Sequence, residues 1–183
     1  MREKGFTLLE ALVVLALLGI LLGVAAPHMS SWRQQHQMQA QAEQLQASLM
    51  LARSEAVRRQ RRVTLCVREP GLDQSLNCAT AGAWSQGWLV FEDRNHNGFR
   101  EASEPVLMAH NALPGAMSLR GNATVDRYVS YGPEGRSQSI SGAFQAGTLT
   151  LCSQGQALVW RAVINALGKP RLEKAVRTKS ANC

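Results

Sequence analysis

The chain has 183 residues, of which 45% are hydrophobic, and its 20 Lys and Arg residues against 13 Asp and Glu residues give a net charge of +7. Once an N-terminal apolar segment is set aside, roughly 150 residues remain, enough for one globular domain and too few for several. The positive charge favours polyanionic partners such as nucleic acid, lipid headgroups or acidic glycans.

The first 27 residues combine a short basic start with a long apolar segment. Arg2 and Lys4 precede an apolar run from Ala11 to Ala26. The whole segment, residues 6–27, is long enough to cross about 30 Å of hydrocarbon as a helix. The basic residues before it predict that the N-terminus stays on the cytoplasmic side. Residues 6–27 are therefore predicted to span a membrane once.

Glu10 interrupts the apolar character of this segment. A carboxylate near the start of a spanning helix costs about 2.5 kcal/mol or more unless it is paired, so Glu10 is predicted to be a functional residue. An ordinary secretory signal peptide is the alternative, because Val24-Ala25-Ala26 satisfies the small-residue cleavage rule. The apolar core of a signal peptide does not normally contain an acidic residue. Glu10 therefore favours a helix that is retained in the mature protein.

Residues 28–62 are predicted to continue the helix as an amphipathic segment. Apolar side chains recur at alternating spacings of four and three, and the stripe that they form is expected to face a sheet or a neighbouring subunit: Met38, Ala42, Leu45, Leu49, Ala52 and Ala56. A basic cluster at the end of this segment suits the negative end of a helix: Arg53, Arg58, Arg59, Arg61 and Arg62.

Residues 63–183 are predicted to form a β-rich head. Short β-branched or apolar runs separated by Gly, Pro and Asn turns indicate strands at Val63–Val67, Trp88–Phe91, Val106–Met108, Val125–Ser130, Thr148–Cys152 and Ala157–Ile164. One long helix followed by strands alone indicates an α+β fold, in which the helix packs on an antiparallel sheet.

The head contains four cysteines, Cys66, Cys78, Cys152 and Cys183. Four cysteines allow three pairings, and proximity along the chain favours Cys66 with Cys78, which leaves Cys152 for Cys183. Disulfides persist in an oxidising compartment such as the periplasm. The alternative is four reduced, buried thiols.

The N-terminal residues Gly5, Phe6 and Glu10 resemble the motif of type IV pilins and type II secretion pseudopilins, with Pro27 where the helix of that family bends. The resemblance implies that residues 1–5 are a leader, cleaved after Gly5 by a prepilin peptidase, and that Phe6 is then N-methylated. It also implies storage in the inner membrane, a periplasmic head, assembly with other pilins into a filament, and a type IV pilin-like fold. The freed amino group of one subunit and Glu10 of its neighbour would form a charge pair in apolar surroundings.

Motifs in the head narrow the resemblance to the minor pilins of the FimT/FimU group and the GspH-like pseudopilins. These motifs are Trp88–Asp93 with the turn at residues 95–98, Thr148–Cys152, and Ala166–Arg171. Members of the group prime pilus assembly at the filament tip. The pseudopilin H of type II secretion, at the tip of a pseudopilus, is the alternative that the same motifs allow.

The C-terminal segment is strongly basic. The FimT branch binds DNA through a Gly-Arg-x-Arg motif, and this chain has Gly168-Lys169-Pro170-Arg171, in which a lysine loses one bidentate phosphate contact. Sequence-independent, salt-dependent DNA binding is expected through Lys169, Arg171, Lys174, Arg177 and Lys179. The alternative is a solvated basic tail that aids solubility or meets acidic pilin partners.

Neither a cofactor nor catalysis is expected. The four histidines show no metal-binding pair, and the nucleophile-elbow, P-loop and dinucleotide motifs are absent from the sequence. Asp93, Asn95, Asn97 and Glu104 match the spacing of a calcium loop. An EF-hand needs flanking helices, and strands are predicted here, so an ordinary hairpin turn is favoured over calcium.

Overall fold

The computed structural model describes residues 7–71 and 76–177, and for residues 22 and 24–31 it describes the backbone alone. Gly5, Phe6, Lys179 and Cys183 lie outside the described residues. In chain order, the elements are α1 (Leu8–Arg59), β1 (Val63–Val67), a 3-10 turn (Trp84–Gln86), β2 (Trp88–Glu92), β3 (Val106–His110), β4 (Met117–Gly121), β5 (Tyr128–Tyr131), β6 (Gly147–Ser153), β7 (Leu158–Ile164) and β8 (Pro170–Val176).

The described chain divides into two compact units, with the boundary between Gln37 and Met38. In the first unit, the large apolar side chains from Leu8 to Leu21 are between 48% and 80% exposed. Within the described ranges, no helix combines the length and the apolar character that a membrane crossing needs.

The second unit contains two four-stranded antiparallel sheets, in the orders β3-β2-β1-β5 and β4-β6-β7-β8. The prediction of an α+β fold with a helix on antiparallel strands is confirmed. The strands are divided between two sheets, a partition that local sequence patterns do not encode because it depends on pairing between distant segments.

The apolar stripe of α1 packs into the core of this unit, as predicted. Its six residues, from Met38 to Ala56, are at most 2% exposed, and they share one apolar cluster with Leu65 of the first sheet and Leu149 of the second. The small side chains of Ala42, Ala52 and Ala56 leave room for the strands to approach the helix. Burial of this stripe therefore joins the helix to both sheets.

Two tryptophans complete the core and have their indole N–H groups satisfied. Trp88 donates to the hydroxyl of Ser48 on α1 at 3.0 Å, and its ring stacks on that of His110 with centroids 3.9 Å apart. Trp84 donates to the carbonyl of Val125 at 3.0 Å. Buried indoles require such partners, so these bonds fix where the helix and the loop at Val125 meet the sheets.

Three details of the strand prediction are wrong. β5 begins at Tyr128 and not at Val125, because the Val125 N–H bonds to the Asn122 carbonyl in a turn and the Val125 carbonyl is taken by Trp84. β4 and β8 were not predicted at all. In β4 the alternation of apolar and polar residues covers only four positions, and in β8 it is interrupted by the adjacent charges of Glu173 and Lys174.

The predicted bridge between Cys66 and Cys78 is present and links β1 to the loop that follows it. Cys152 is also disulfide-bonded. Its predicted partner, Cys183, lies outside the described residues.

Candidate functional site

Glu10 lies in the first turn of α1 with an exposed side chain. The hydroxyl oxygen of Thr7 accepts a hydrogen bond from the Glu10 N–H at 3.3 Å, so Thr7 caps the helix. An acid in the first turn suits the positive end of the helix dipole. The carboxylate is therefore held at the N-terminal end of α1, among exposed apolar side chains.

The basic C-terminal segment forms β8, the last strand of the second sheet, rather than a tail. β8 pairs with β7 in a continuous antiparallel register, in which Arg171 lies opposite Val163 and Lys174 lies opposite Trp160. Because successive residues of a strand point to opposite sides of a sheet, Arg171 and Lys174 lie on opposite faces. The predicted DNA-binding residues therefore do not form one contiguous row.

The two faces of β8 have different surroundings. Lys174 places its ammonium 5.8 Å from the ring centroid of Trp160, which packs against the core. Arg171 faces away from the core and forms an ion pair with Glu173. Lys169 and Arg177 are exposed just before and just after the strand.

Arg171 belongs to a basic groove on the side of the second sheet that faces away from α1. The groove has a volume of about 640 Å³. Eight of its lining residues come from the four strands, and we call the six with polar or charged side chains the outer face: Arg120, Thr148, Thr150, Arg161, Arg171 and Glu173. No local sequence pattern assigns Arg120 or Arg161 to a site, because each joins this face only when its strand pairs with β6.

Gly168 fixes the start of β8. Its φ of +75° lies in the left-handed region that glycine favours. A Cβ at this position would collide with the carbonyl oxygen of Gly135, and that same oxygen accepts a hydrogen bond from Arg53 Nε at 2.9 Å. The predicted tight turn at Gly168 is present, and the glycine also allows the chain to pack on the loop at Gly135.

Two of the arginines at the end of α1, Arg58 and Arg59, form short ion pairs with carboxylates. Glu55 accepts hydrogen bonds from Arg58 and Arg59, which lower its pKa to about 2. Glu92 accepts hydrogen bonds from Arg94 and Arg59, and these lower the pKa of that carboxyl as well. These pairs join the helix end to β2, while the side chain of Arg61 is 61% exposed and keeps positive charge at this surface.

Arg62 has a structural role too. Its side chain is buried, and it donates to the carbonyl of Ser139 at 3.0 Å. Together with the bond from Arg53 to Gly135, this contact holds the loop between β5 and β6 against the helix end.

The predicted calcium loop connects β2 and β3, so strands flank it as expected. Asp93 is fully buried and accepts hydrogen bonds from the N–H groups of Asn97 and Gly98, each at 3.1 Å. Glu104 accepts from the N–H groups of Arg94 and Glu101. Both carboxylates thus organise the turn itself. Across residues 7–71 and 76–177, no three His, Cys, Asp or Glu side chains come together as a metal site would need.

Comparison with known proteins identifies the family. The profile of the type II transport protein GspH matches residues 41–168, and that of the prokaryotic N-terminal methylation motif matches residues 1–26. The chain belongs to the GspH family of minor pilins and pseudopilins, as the resemblance in its sequence predicts. Proteins of this family are structural, so the chain is not an enzyme.

Individual relatives agree with this assignment. The pilin-like protein PilA1 of Thermus thermophilus is 32% identical over 177 residues, which cover 94% of this chain and all of that protein. The minor pilin FimU of Pseudomonas aeruginosa has a similar structure, with a TM-score of 0.57 at 19% identity over 78% of this chain and 92% of its own. The minor pseudopilin EpsH of Vibrio cholerae gives a TM-score of 0.50 at 11% identity, over 76% and 97%. At such identities the two structures show the fold alone.

Family membership and the N-terminal motif identify the chain as a membrane-anchored component of a pilus or pseudopilus that associates with other pilins or pseudopilins.

Proposed function

We propose that the protein is a minor type IV pilin that crosses the inner membrane once, is processed at its N-terminus, and enters the pilus at the tip, where it helps to prime assembly. The observation that carries this proposal is the N-terminal methylation motif over residues 1–26. It supports cleavage after Gly5 by a prepilin peptidase and methylation of Phe6.

The first unit supports the role in a filament. Its large apolar side chains from Leu8 to Leu21 are exposed, and apolar surface of this extent is stable only when lipid or neighbouring helices cover it. Glu10 is the acid at the start of this surface. Its pairing with the freed amino group of Phe6 on an adjacent subunit would set the register between subunits, since a buried charge needs a partner.

DNA binding for natural transformation is the second part of the proposal. It is supported by the basic segment that begins with Lys169 and Arg171, which are exposed. The match to GspH ends at Gly168, so this segment is a feature of the chain beyond the matched region. Binding through phosphates alone is independent of base sequence and falls steeply with salt.

The experiment that tests the processing step is N-terminal sequencing of the mature protein, combined with its distribution between membrane and filament fractions. The proposal predicts a mature chain that begins with methylated Phe6 and is found in both fractions. A mature chain that begins at Pro27 would identify a secretory signal peptide and contradict the proposal.

A role as the tip pseudopilin of type II secretion is the alternative, and the match to the profile of the type II transport protein GspH is compatible with it. Deletion of the gene separates the two functions when twitching, DNA uptake and protein secretion are scored in the same strain. Loss of twitching or uptake supports the pilus, whereas loss of secretion alone supports the pseudopilus.

A further inference from the structure

The outer face carries positive charge that the fold itself does not use. Its arginines come from three different strands, Arg120 from β4, Arg161 from β7 and Arg171 from β8. Among the described residues, neither Arg120 nor Arg161 has a hydrogen-bond or ion-pair partner, whereas the arginines at the end of α1 are bonded to carboxylates and carbonyls. Arg120 is exposed and Arg161 is half-buried at the edge of the groove, and guanidinium groups that reach solvent without internal partners are suited to bind phosphate.

We infer that the outer face is the surface on which this protein binds the phosphate backbone of nucleic acid, with Arg120 and Arg161 as phosphate contacts beside Arg171. This inference rests on the proposed DNA binding and deepens it. The proposed DNA-binding site is then a face of the second sheet and not a linear basic tail. It includes Arg120 and Arg161, which lie outside the C-terminal basic segment.

The outer-face arginines are far enough apart to contact different phosphates. Arg120 lies opposite Thr150 on β6, and Thr150 lies opposite Arg161 on β7. With strands about 4.8 Å apart, these two arginines are separated by about 10 Å. Successive phosphates of one strand rise 3.4 Å along the duplex axis, so two guanidinium groups at this separation can contact different phosphates. Threonine hydroxyls between them can donate further hydrogen bonds.

The lining of the groove indicates binding to the backbone and not to bases. Trp84 lines the groove but is fully buried, and its N–H is taken by Val125. It therefore cannot stack on a base, which is how single-stranded binding proteins use aromatic residues. The arginines of an open sheet face can follow phosphates without reading a sequence.

Glu173 is the acid within the outer face. It forms an ion pair with Arg171 and lies opposite Arg161 in the register. A phosphate must compete with this carboxylate for Arg171 and is repelled by it. Replacing Glu173 by glutamine should therefore strengthen binding.

The test measures the affinity of the full chain, in detergent micelles, for a fluorescent 30-base-pair duplex across a series of salt concentrations. Three variants are compared with the parent: Arg120→Gln/Arg161→Gln, Glu173→Gln and Lys174→Gln. A double variant, Arg33→Gln/Arg136→Gln, changes the same net charge at exposed arginines outside the groove. Circular dichroism verifies that every variant is folded.

The outer-face double variant is expected to bind about a hundredfold more weakly, roughly tenfold for each charge-assisted contact. Its salt slope should fall by about 1.8, or 0.9 for each lost phosphate contact. Glu173→Gln should bind severalfold more tightly. Lys174→Gln, on the opposite face, and the charge-matched control should remain within about twofold of the parent, since neither removes a direct contact.

Two outcomes overturn the inference in different ways. If the parent binds and the outer-face variant binds equally well, or if the charge-matched control loses as much affinity, DNA binding stands but the outer face is not its site. If the parent does not bind the duplex at low salt, the proposed DNA binding and the inference both fail.

Discussion

Replacement of Gly168 by alanine tests how the turn before β8 is held in place. Gly168 has a φ of +75°, and an added Cβ would meet the Gly135 carbonyl oxygen as well as the Ser137 nitrogen at 3.0 Å. Both neighbours are backbone atoms, so neither can swing away as a side chain could. The loop that includes Gly135 is tied to α1 through Arg53.

The expected cost has two parts. A residue with a Cβ in the left-handed region loses about 1 to 2 kcal/mol, and overpacking against a fixed neighbour costs about 1 to 3 kcal/mol more. Gly168→Ala should therefore lower the free energy of unfolding by about 2 to 5 kcal/mol. For a domain of this size, the corresponding fall in melting temperature is roughly 5 to 15 °C.

Gly155 provides a matched control. Its φ of +76° is nearly the same, but among residues 7–71 and 76–177, apart from its two chain neighbours, no heavy atom lies within 4 Å of its added Cβ. Gly155→Ala should show the conformational cost alone, about 1 to 2 kcal/mol. Thermal and urea unfolding of residues 33–183, which include the compact unit from Met38 onward, measure both variants. Equal losses in the two variants would refute the argument that Gly168 is required for close packing.

Two further predictions concern the head. Tyr131 has a buried hydroxyl without a partner among the described residues, so Tyr131→Phe should raise the free energy of unfolding by about 1 kcal/mol. Tyr128→Phe, which loses the hydrogen bond from the Ile140 N–H, should lower the free energy of unfolding. A lower free energy of unfolding in both variants would contradict this reasoning. Since Arg58 and Arg59 lower the pKa of Glu55 from 4.5 to about 2, Glu55→Gln should cost about 1 kcal/mol above pH 5. That difference should shrink as pH falls from 4.5 towards 2, and a constant difference in acid unfolding curves would refute the assignment.

The sequence predicts best those features that depend on local periodicity. The stripe from Met38 to Ala56 repeats with the helical period, and all of it is buried. The bridge between Cys66 and Cys78 is confirmed as well, because a separation of 12 residues lets a short loop bring the two thiols together. In each case, the physical signal lies within a few turns or within one loop.

The candidate site could not be predicted in the same way, because it depends on long-range pairing. The sequence of β8 alone resembles a charged tail, because its strand character depends on pairing with β7. The register of that pairing places Arg171 and Lys174 on opposite faces of the sheet. Arg120 reaches the same groove only because β4 pairs with β6, which lies 30 residues further along the chain. No local pattern contains that information.

The basic cluster at the end of α1 shows the same limit. Its composition suggests a polyanion site, but Glu92, some 33 residues after Arg59, pairs with that arginine, and Arg62 is buried against the Ser139 carbonyl. Charge density along a sequence therefore overstates the charge that a folded surface presents.

The central claim is that the protein enters a filament through the apolar helix that begins with Glu10. The most direct measurement is the fraction of Glu10→Gln protein in purified filaments, relative to the parent and to Glu43→Gln, an exposed acid further along α1. The account predicts that Glu10→Gln is processed but remains in the membrane fraction, while Glu43→Gln assembles like the parent. Parental amounts of Glu10→Gln in filaments would contradict it.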